Sequence, residues 1–249
     1  MTTPRIDILT IGDELLDGRV LNSNIRTISD QIQQLGLLCR SALTVTDKPT
    51  DIESALGQFF GVSDVLIVTG GLGPTEDDRT TEAVAQFLGE PLKEDPQTVA
   101  ALELFFKERG KPVFESNLKQ AYFPASATII PNTVGTAPGF YLEVHSTLCI
   151  VLPGVPREMM VMLESTVLPL CEARYAKDKI STKTRQWICF GLGESEIADR
   201  LASLYPLLEG VELGFRVHFP CVHLMLKGSH VSAHISTLEP MIDMALREC

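Results

Sequence analysis

Residues 69–80 read TGGLGPTEDDRT, between an apolar run, residues 65–68, that predicts a buried strand and a run, residues 82–88, that predicts a helix. Glycines at the carboxyl end of a strand let backbone N–H groups approach an anionic ligand closely. Gly70, Gly71 and Gly73 are therefore expected to donate to phosphate oxygens, with the Thr75 hydroxyl beside them. Three carboxylates, Glu76, Asp77 and Asp78, follow at once. A phosphate cradle beside acids that can hold a divalent cation points to chemistry on a phosphorylated small molecule. A tight turn with solvated acids would account for either half alone. Both together, at the strand edge where open α/β sheets bind ligands, favour a site.

A second acidic group, Asp13-Glu14, follows Gly12 at the end of the first apolar run, and Asp47 follows the second. In a parallel sheet Asp13, Glu14, Asp47, Asp77 and Asp78 would converge on one crevice, where a hard cation such as Mg²⁺ relieves their repulsion. Asp13 or Asp47 can equally serve as a helix cap. Lys119, next to Gln120, can meet a phosphate as a point charge or lie solvated. Residues 135–139, from Gly135, form a second close-approach loop or a plain turn. His230 and His234 stand at helical spacing, without a third ligand nearby, and read as a surface pair. The chain has no GxxxxGK[ST], GxSxG or HExxH motif and no acidic Nudix helix.

The elements that must position these residues alternate. Strands are expected at 6–12, 37–45 and 65–69, with helices from Asn22 or Ser23 to Leu35 and from Thr50 or Asp51 to Phe60. That order implies a parallel sheet. Helices follow at 80–88 and 96–109, then a turn-rich stretch at 115–140, a strand at 147–152 and a helix to Tyr175. The polar residues 176–179 divide a domain at 1–175 from one at 180–249, where strands at 184–190, 211–217 and 221–227 and helices at 194–204 and 230–248 form a small α+β unit.

The 249 residues are 45% hydrophobic, ample for packed cores, and no run approaches the roughly 18 apolar residues of a membrane span. Asp7, Asp13 and Glu14 interrupt the N-terminal apolar stretch, so a signal peptide is not expected and a cytoplasmic location is. Net charge is −11: residues 1–175 hold 13 basic and 23 acidic side chains, residues 176–249 hold 8 and 9. That balance argues against nucleic acid as a partner. Six scattered cysteines without a CxxC pair read as buried reduced thiols.

Taken together, the motifs resemble the CinA family, the competence/damage-inducible proteins, and behind them the molybdopterin-binding fold. The matching residues are IGDELLDG (11–18), Asn22 with Asn24, Asp47, TGGLGPTEDDRT (69–80), NLKQA (117–121), NTVGTAPGF (132–140) and LPGVPREM (152–159). Residues 180–249 resemble, by element order, the KH-like domain that follows in CinA proteins. The resemblance implies a doubly wound, mainly parallel α/β domain with a small α+β second domain. It adds Gly12, Asn24, Gln120, Gly135, Pro153, Gly154 and Glu158 to the expected substrate contacts. The family often continues into a nicotinamide-nucleotide amidase domain. This chain ends at Cys249, and that activity is not expected of it.

The resemblance implies metal-dependent hydrolysis of the pyrophosphate of ADP-ribose, or of a related nucleoside diphosphate sugar. Asp13, Glu14 and Asp78 would hold Mg²⁺, or Mn²⁺ or Co²⁺; Asp47 or Asp77 would orient the water; Lys119 would stabilise developing charge. The alternatives are molybdopterin binding or adenylylation, and a non-catalytic nucleotide-binding module. A homodimer is expected, with the KH-like unit as the dimerisation or scaffolding element.

Overall fold

Six consecutive buried residues, Ile6–Ile11, form β1, an inner strand of the first of two compact units, Met1–Lys179 and Ile180–Cys249. The computed structural model describes residues 4–175, 182–209, 211–229 and 232–247. The polar stretch 176–179 and His230, of the His230–His234 pair, lie outside the described residues. After β1 come a helical turn α1 (Asp13–Leu16), α2 (Ser23–Gln34), β2 (Cys39–Val45), α3 (Pro49–Phe59), β3 (Val65–Thr69) and α4 (Thr80–Leu88). The Asn22 side chain caps α2 by accepting from the Ile25 N–H at 3.4 Å. At α3 the cap position is Lys48, with Pro49 preset for the first turn, so neither Thr50 nor Asp51 caps it. Asp51 accepts instead from the Thr46 hydroxyl.

Then follow β4 (Leu92–Glu94), α5 (Pro96–Glu108), α6 (Glu115–Leu118), a 3₁₀ turn (Lys119–Ala121), β5 (Tyr122–Pro124), β6 (Thr128–Ile130), β7 (Gly139–Val144), β8 (Thr147–Leu152) and α7 (Pro156–Met162). A π turn, Leu163–Val167, joins α7 to α8 (Leu168–Tyr175). The turn-rich stretch 115–140 thus holds short strands. Of these, β6 joins the main sheet, whose order is β2-β1-β3-β8-β7-β6. β2, β1, β3 and β8 run parallel, while β7 and β6 close one side antiparallel.

Alternation along each central strand splits the core between the two faces of the sheet. Leu9, Ile11, Leu66, Val68, Cys149 and Val151 join Ile52 and Leu56 of α3 and Val84 of α4. Ile6, Ile8, Val65, Ile67, Leu148 and Ile150 join Ile28 and Ile32 of α2 and Met159 and Met162 of α7. Strands covered on both faces read as unbroken apolar runs, which is why 65–69 and 147–152 were legible as strands. Each fully buried Ile or Leu contributes about 1.5–3 kcal/mol by leaving water. Cysteines take part as small hydrophobes: burial pushes the Cys149 thiol up to about 12.

The second unit is β9 (Thr182–Phe190), α9 (Glu194–Arg200), a 3₁₀ stretch (Ala202–Leu207), β10 (Val211–His218), β11 (Cys221–Ser229) and α10 (Ser232–Leu246). Its sheet is antiparallel, in the order β10-β11-β9, over a core that includes Ile197, Leu224, Leu226, Leu238 and Ile242. Among the described residues no helix is long and apolar enough to cross a membrane.

Candidate functional site

Register aligns the carboxyl ends of the parallel strands: Ile11 lies beside Val45, Thr10 beside Thr69, and Thr69 beside Leu152. The residues that follow these ends line one cleft of about 690 Å³. Asp13, Glu14, Asp47, Asp77 and Asp78 all line it, as do Gly12, Asn24, Gly70, Gly71, Gly73, Thr75, Gln120, Pro153, Gly154 and Glu158. Glu76 does not line it. Arg19, which the sequence reading passed over, is the one basic side chain among the described lining residues. It follows α1 and is held to Asp17 at 2.6 Å.

The glycine turn is built by close approach. Gly70 has φ +113°, and a Cβ there would run into the Ile11 carbonyl oxygen. The buried Thr80 at the start of α4 closes the turn: its hydroxyl donates to the Gly70 carbonyl at 2.8 Å and its N–H to the Gly71 carbonyl at 3.1 Å. The expected row of phosphate donors needs correction. The Gly70 N–H donates to the Leu152 carbonyl at 3.1 Å and that of Gly12 to the Val45 carbonyl at 3.1 Å, so the fold itself consumes both. The N–H groups of Gly71, Leu72 and Gly73 donate to no described residue, and they are the donors left for an anion. Thr75 is also engaged: its N–H and hydroxyl both donate to Asp78 Oδ2, at 2.9 and 2.6 Å.

On the opposite wall Asp13 and Asp47 hold each other. The Asp13 N–H donates to Asp47 Oδ2 at 2.8 Å, and the Asp47 N–H to Asp13 Oδ1 at 3.4 Å. Burial pushes the Asp47 carboxyl above its ordinary value. The Asp13 N–H opposes this, and the charges of Asp13, Glu14 and Asp77 add to it. Among the described residues no group of three or more His, Cys, Asp or Glu side chains is arranged to hold a metal ion. Asp13, Glu14 and Asp78 therefore do not form a ready-made cage. The donor set still fits a hard cation held by one or two carboxylates together with a ligand's phosphate oxygens. Six carboxylates and one guanidinium line the cleft, and an anion entering it needs such a counter-charge.

Two buried carboxamides complete the cleft. Asn24 Nδ2 donates to Thr69 Oγ1 at 3.1 Å and to the Gly154 carbonyl at 2.9 Å, while Thr69 Oγ1 donates to the Pro153 carbonyl at 2.9 Å. Gln120 Nε2 donates to the Leu72 carbonyl at 3.1 Å. The carbonyl oxygens of both side chains are buried without a partner among the described residues. Lys119 and Gly135 fall elsewhere. Lys119 Nζ donates to the Thr75 carbonyl at 3.2 Å and pairs with Glu82 at 3.4 Å, in a neighbouring cavity. The Gly135 N–H donates to Asn132 Oδ1 at 2.7 Å, and Gly135 packs against the carboxylate of Glu158, which Asn132 also holds. The loop is thus a support for Glu158. Nothing in the sequence alone would have told that role from a phosphate loop.

A doubly wound, mainly parallel sheet with a cleft at the carboxyl ends of its strands is the molybdopterin-binding type of α/β fold, and residues 7–173 match the family described as "Probable molybdopterin binding domain". The chain belongs to that family, and within it to the CinA-like proteins. It is 40% identical over 225 residues to a CinA-like protein of Geobacter sulfurreducens, covering 90% of this chain and 54% of that protein. It is 39% identical over 222 residues to one of Syntrophotalea carbinolica, covering 89% and 53%. The chain spans about half the length of these curated relatives. Among solved structures, a CinA protein of unknown function from Thermoplasma acidophilum is similar at 34% identity with a TM-score of 0.60, covering 72% of this chain and 99% of that one.

Proposed function

We propose that the cleft binds a molybdopterin-type ligand by its phosphate and, with a divalent cation, supports adenylyl transfer to that phosphate from ATP, whose pyrophosphate leaves. One observation carries this. Three consecutive N–H groups, of Gly71, Leu72 and Gly73, have no acceptor among the described residues, in a cleft that six carboxylates also line. The match of residues 7–173 to a molybdopterin-binding family supports the pterin over other phosphate ligands. In this proposal the three N–H groups take the phosphate oxygens, and Asp47 and Asp78 hold the cation, with Asp13 and Glu14 completing its surroundings. Mg²⁺, Mn²⁺ or Co²⁺ would supply charge neutralisation between phosphate and acids. The test is growth of a molybdopterin-adenylylation-deficient strain. Rescue by the wild-type chain and not by Asp47→Asn supports the proposal, and no rescue by the wild type sinks it.

The burial that raises Asp47, with the neighbouring carboxylates adding to it, favours a second reading, hydrolysis of ADP-ribose to AMP and ribose phosphate. A carboxylate with a raised pKa beside a metal-bound water is suited to accept its proton. AMP release from ADP-ribose with Mg²⁺, Mn²⁺ or Co²⁺, against a metal-free control, decides this reading independently of the rescue. A homodimer through the KH-like second unit is part of either proposal, and light scattering of the purified chain tests it.

A further inference from the structure

The sheet of the second unit has one covered face and one open face. Along β11, Val222, Leu224 and Leu226 are buried with Ile197 of α9 and Leu238 and Ile242 of α10, while Cys221, His223, Met225 and Lys227 alternate to the other side. Register sets His218 opposite Cys221 and Phe190, and Arg216 opposite His223 and Ile188, on that open face. The His218 and His223 rings lie 5.0 Å apart, centroid to centroid. Two imidazoles on one tetrahedral cation, with metal–nitrogen distances of about 2.1 Å, place their ring centroids about 5 Å apart. The pair is thus spaced as two ligands of one ion.

His223 Nδ1 lies 2.8 Å from the carboxamide nitrogen of Gln186, an exposed side chain that can turn either end to the ring. With the carboxamide oxygen there, Nδ1–H donates to it and the Nε2 lone pair is left for a metal, as ligating imidazoles are commonly held. No carboxylate stands in these two rows. Neutral imidazoles suit a borderline cation such as Zn²⁺ rather than a hard one such as Mg²⁺.

Two ligands are half of a tetrahedral set. Among the described residues no three His, Cys, Asp or Glu side chains are grouped to hold an ion, so one copy of the face does not complete the site. Its surroundings suit a second copy. Ile188 and Phe190, in the same rows, are 64% and 67% exposed, and Phe219 beside His218 is 96% exposed. A two-fold interface brings one patch against itself, and apolar side chains around the histidines give it area to bury. Arg216, the one charged side chain in the two rows, is exposed on the edge strand β10, where its guanidinium can stay in water.

We infer that His218 and His223 are one half of a four-imidazole site for Zn²⁺ or a similar borderline cation, the same pair of a second copy supplying the other half across the open sheet face. The inference is independent of the phosphate chemistry proposed for the first unit. It rests on the homodimer proposed through the second unit, and it names the face and the metal.

The experiment strips the full chain with chelator, dialyses it against Zn²⁺, and measures bound zinc and, by light scattering, mass. His218→Ala/His223→Ala is treated alongside, its fold checked by circular dichroism. Zinc held by the cleft carboxylates contributes equally to both proteins, so the difference counts this site. The expected difference is about one zinc per two chains, on a dimer. No difference overturns the site. A wild type that is then dimeric in chelator keeps the dimer without the metal, and a monomer loses both. A difference of about one zinc per chain also overturns the shared site, because a single copy would then suffice.

Discussion

Asp13 and Asp47 each donate a backbone N–H to the other's carboxylate, at 2.8 and 3.4 Å, locking the ends of two adjacent parallel strands together at the wall of the cleft. Burial raises the Asp47 carboxyl, the Asp13 N–H opposes it, and the charges of Asp13, Glu14 and Asp77 add to the rise. A carboxyl whose folded pKa lies above its unfolded value contributes stability below about 3.8, its ordinary value, and loses it as pH rises through the folded value. At neutral pH the ionised Asp47 therefore opposes folding. Asp47→Asn keeps an oxygen to accept from Asp13 and removes the charge. It should raise the urea midpoint at pH 7 and leave it unchanged at pH 3, while activity in either proposed reaction falls about a hundredfold. An unchanged midpoint at pH 7 would mean that the carboxylates are not strained by one another.

Gly70 and Gly89 both have positive φ, but for different reasons, and substitution separates them. Gly89 ends α4 in the left-handed conformation with open space where a Cβ would stand. Gly89→Ala should cost only the backbone term, about 1 kcal/mol. At Gly70 a Cβ would meet the Ile11 carbonyl oxygen as well. Gly70→Ala should therefore cost about 3 kcal/mol and displace the turn. Chemical denaturation of the two variants checks the order, and equal costs would show that β1 yields to the intruding methyl.

Asp78 separates charge from shape. Its Oδ2 accepts both the N–H and the hydroxyl of Thr75, closing the loop after the glycine turn. Asp78→Asn can still accept from Thr75, so it should fold within about 1 kcal/mol of the wild type, yet lose metal-dependent activity if the carboxylate binds the cation. Asp78→Ala should lose the loop as well and weaken nucleotide binding without metal. Titration of both variants with and without Mg²⁺ distinguishes them. Equal behaviour with Mg²⁺ would leave Asp78 a loop-closing residue only.

How far the sequence could be read follows from which signals are local. The runs at 65–69 and 147–152 are buried on both faces, so apolar continuity alone locates them. Convergence of Asp13, Asp47 and Asp78 follows from parallel order, because successive strand ends then share one edge. The short strands β5 and β6 were hidden among turn residues; three residues are too few for a period to show. Lys119 was expected beside the phosphate, but Glu82 and the Thr75 carbonyl, distant in sequence, hold it in the neighbouring cavity. The commitment of the Gly12 and Gly70 N–H groups to Val45 and Leu152 is also non-local, and only coordinates reveal it.

At the opposite edge of the sheet Asp7 gives an acid-lability prediction. It is fully buried in β1 and accepts from Ser41 at 2.5 Å, Ser63 at 2.6 Å and Arg5 at 2.7 Å. Burial alone would raise its carboxyl. The hydrogen bonds from Ser41, Ser63 and Arg5, together with the Arg5 charge, outweigh that and hold it below its ordinary value. A depressed carboxyl contributes stability that is complete above its unfolded value, near 3.8, and is lost as pH falls toward the folded value. Asp7→Leu leaves the Arg5 guanidinium and two hydroxyls without their acceptor, and should cost about 3 kcal/mol at pH 7. It should also flatten the stability profile below pH 4, so that wild type and variant converge on acidification. Urea midpoints for both proteins between pH 7 and pH 2.5 check this. Parallel profiles would show that the acid sensitivity of the first unit arises elsewhere, with the cleft carboxylates next in line.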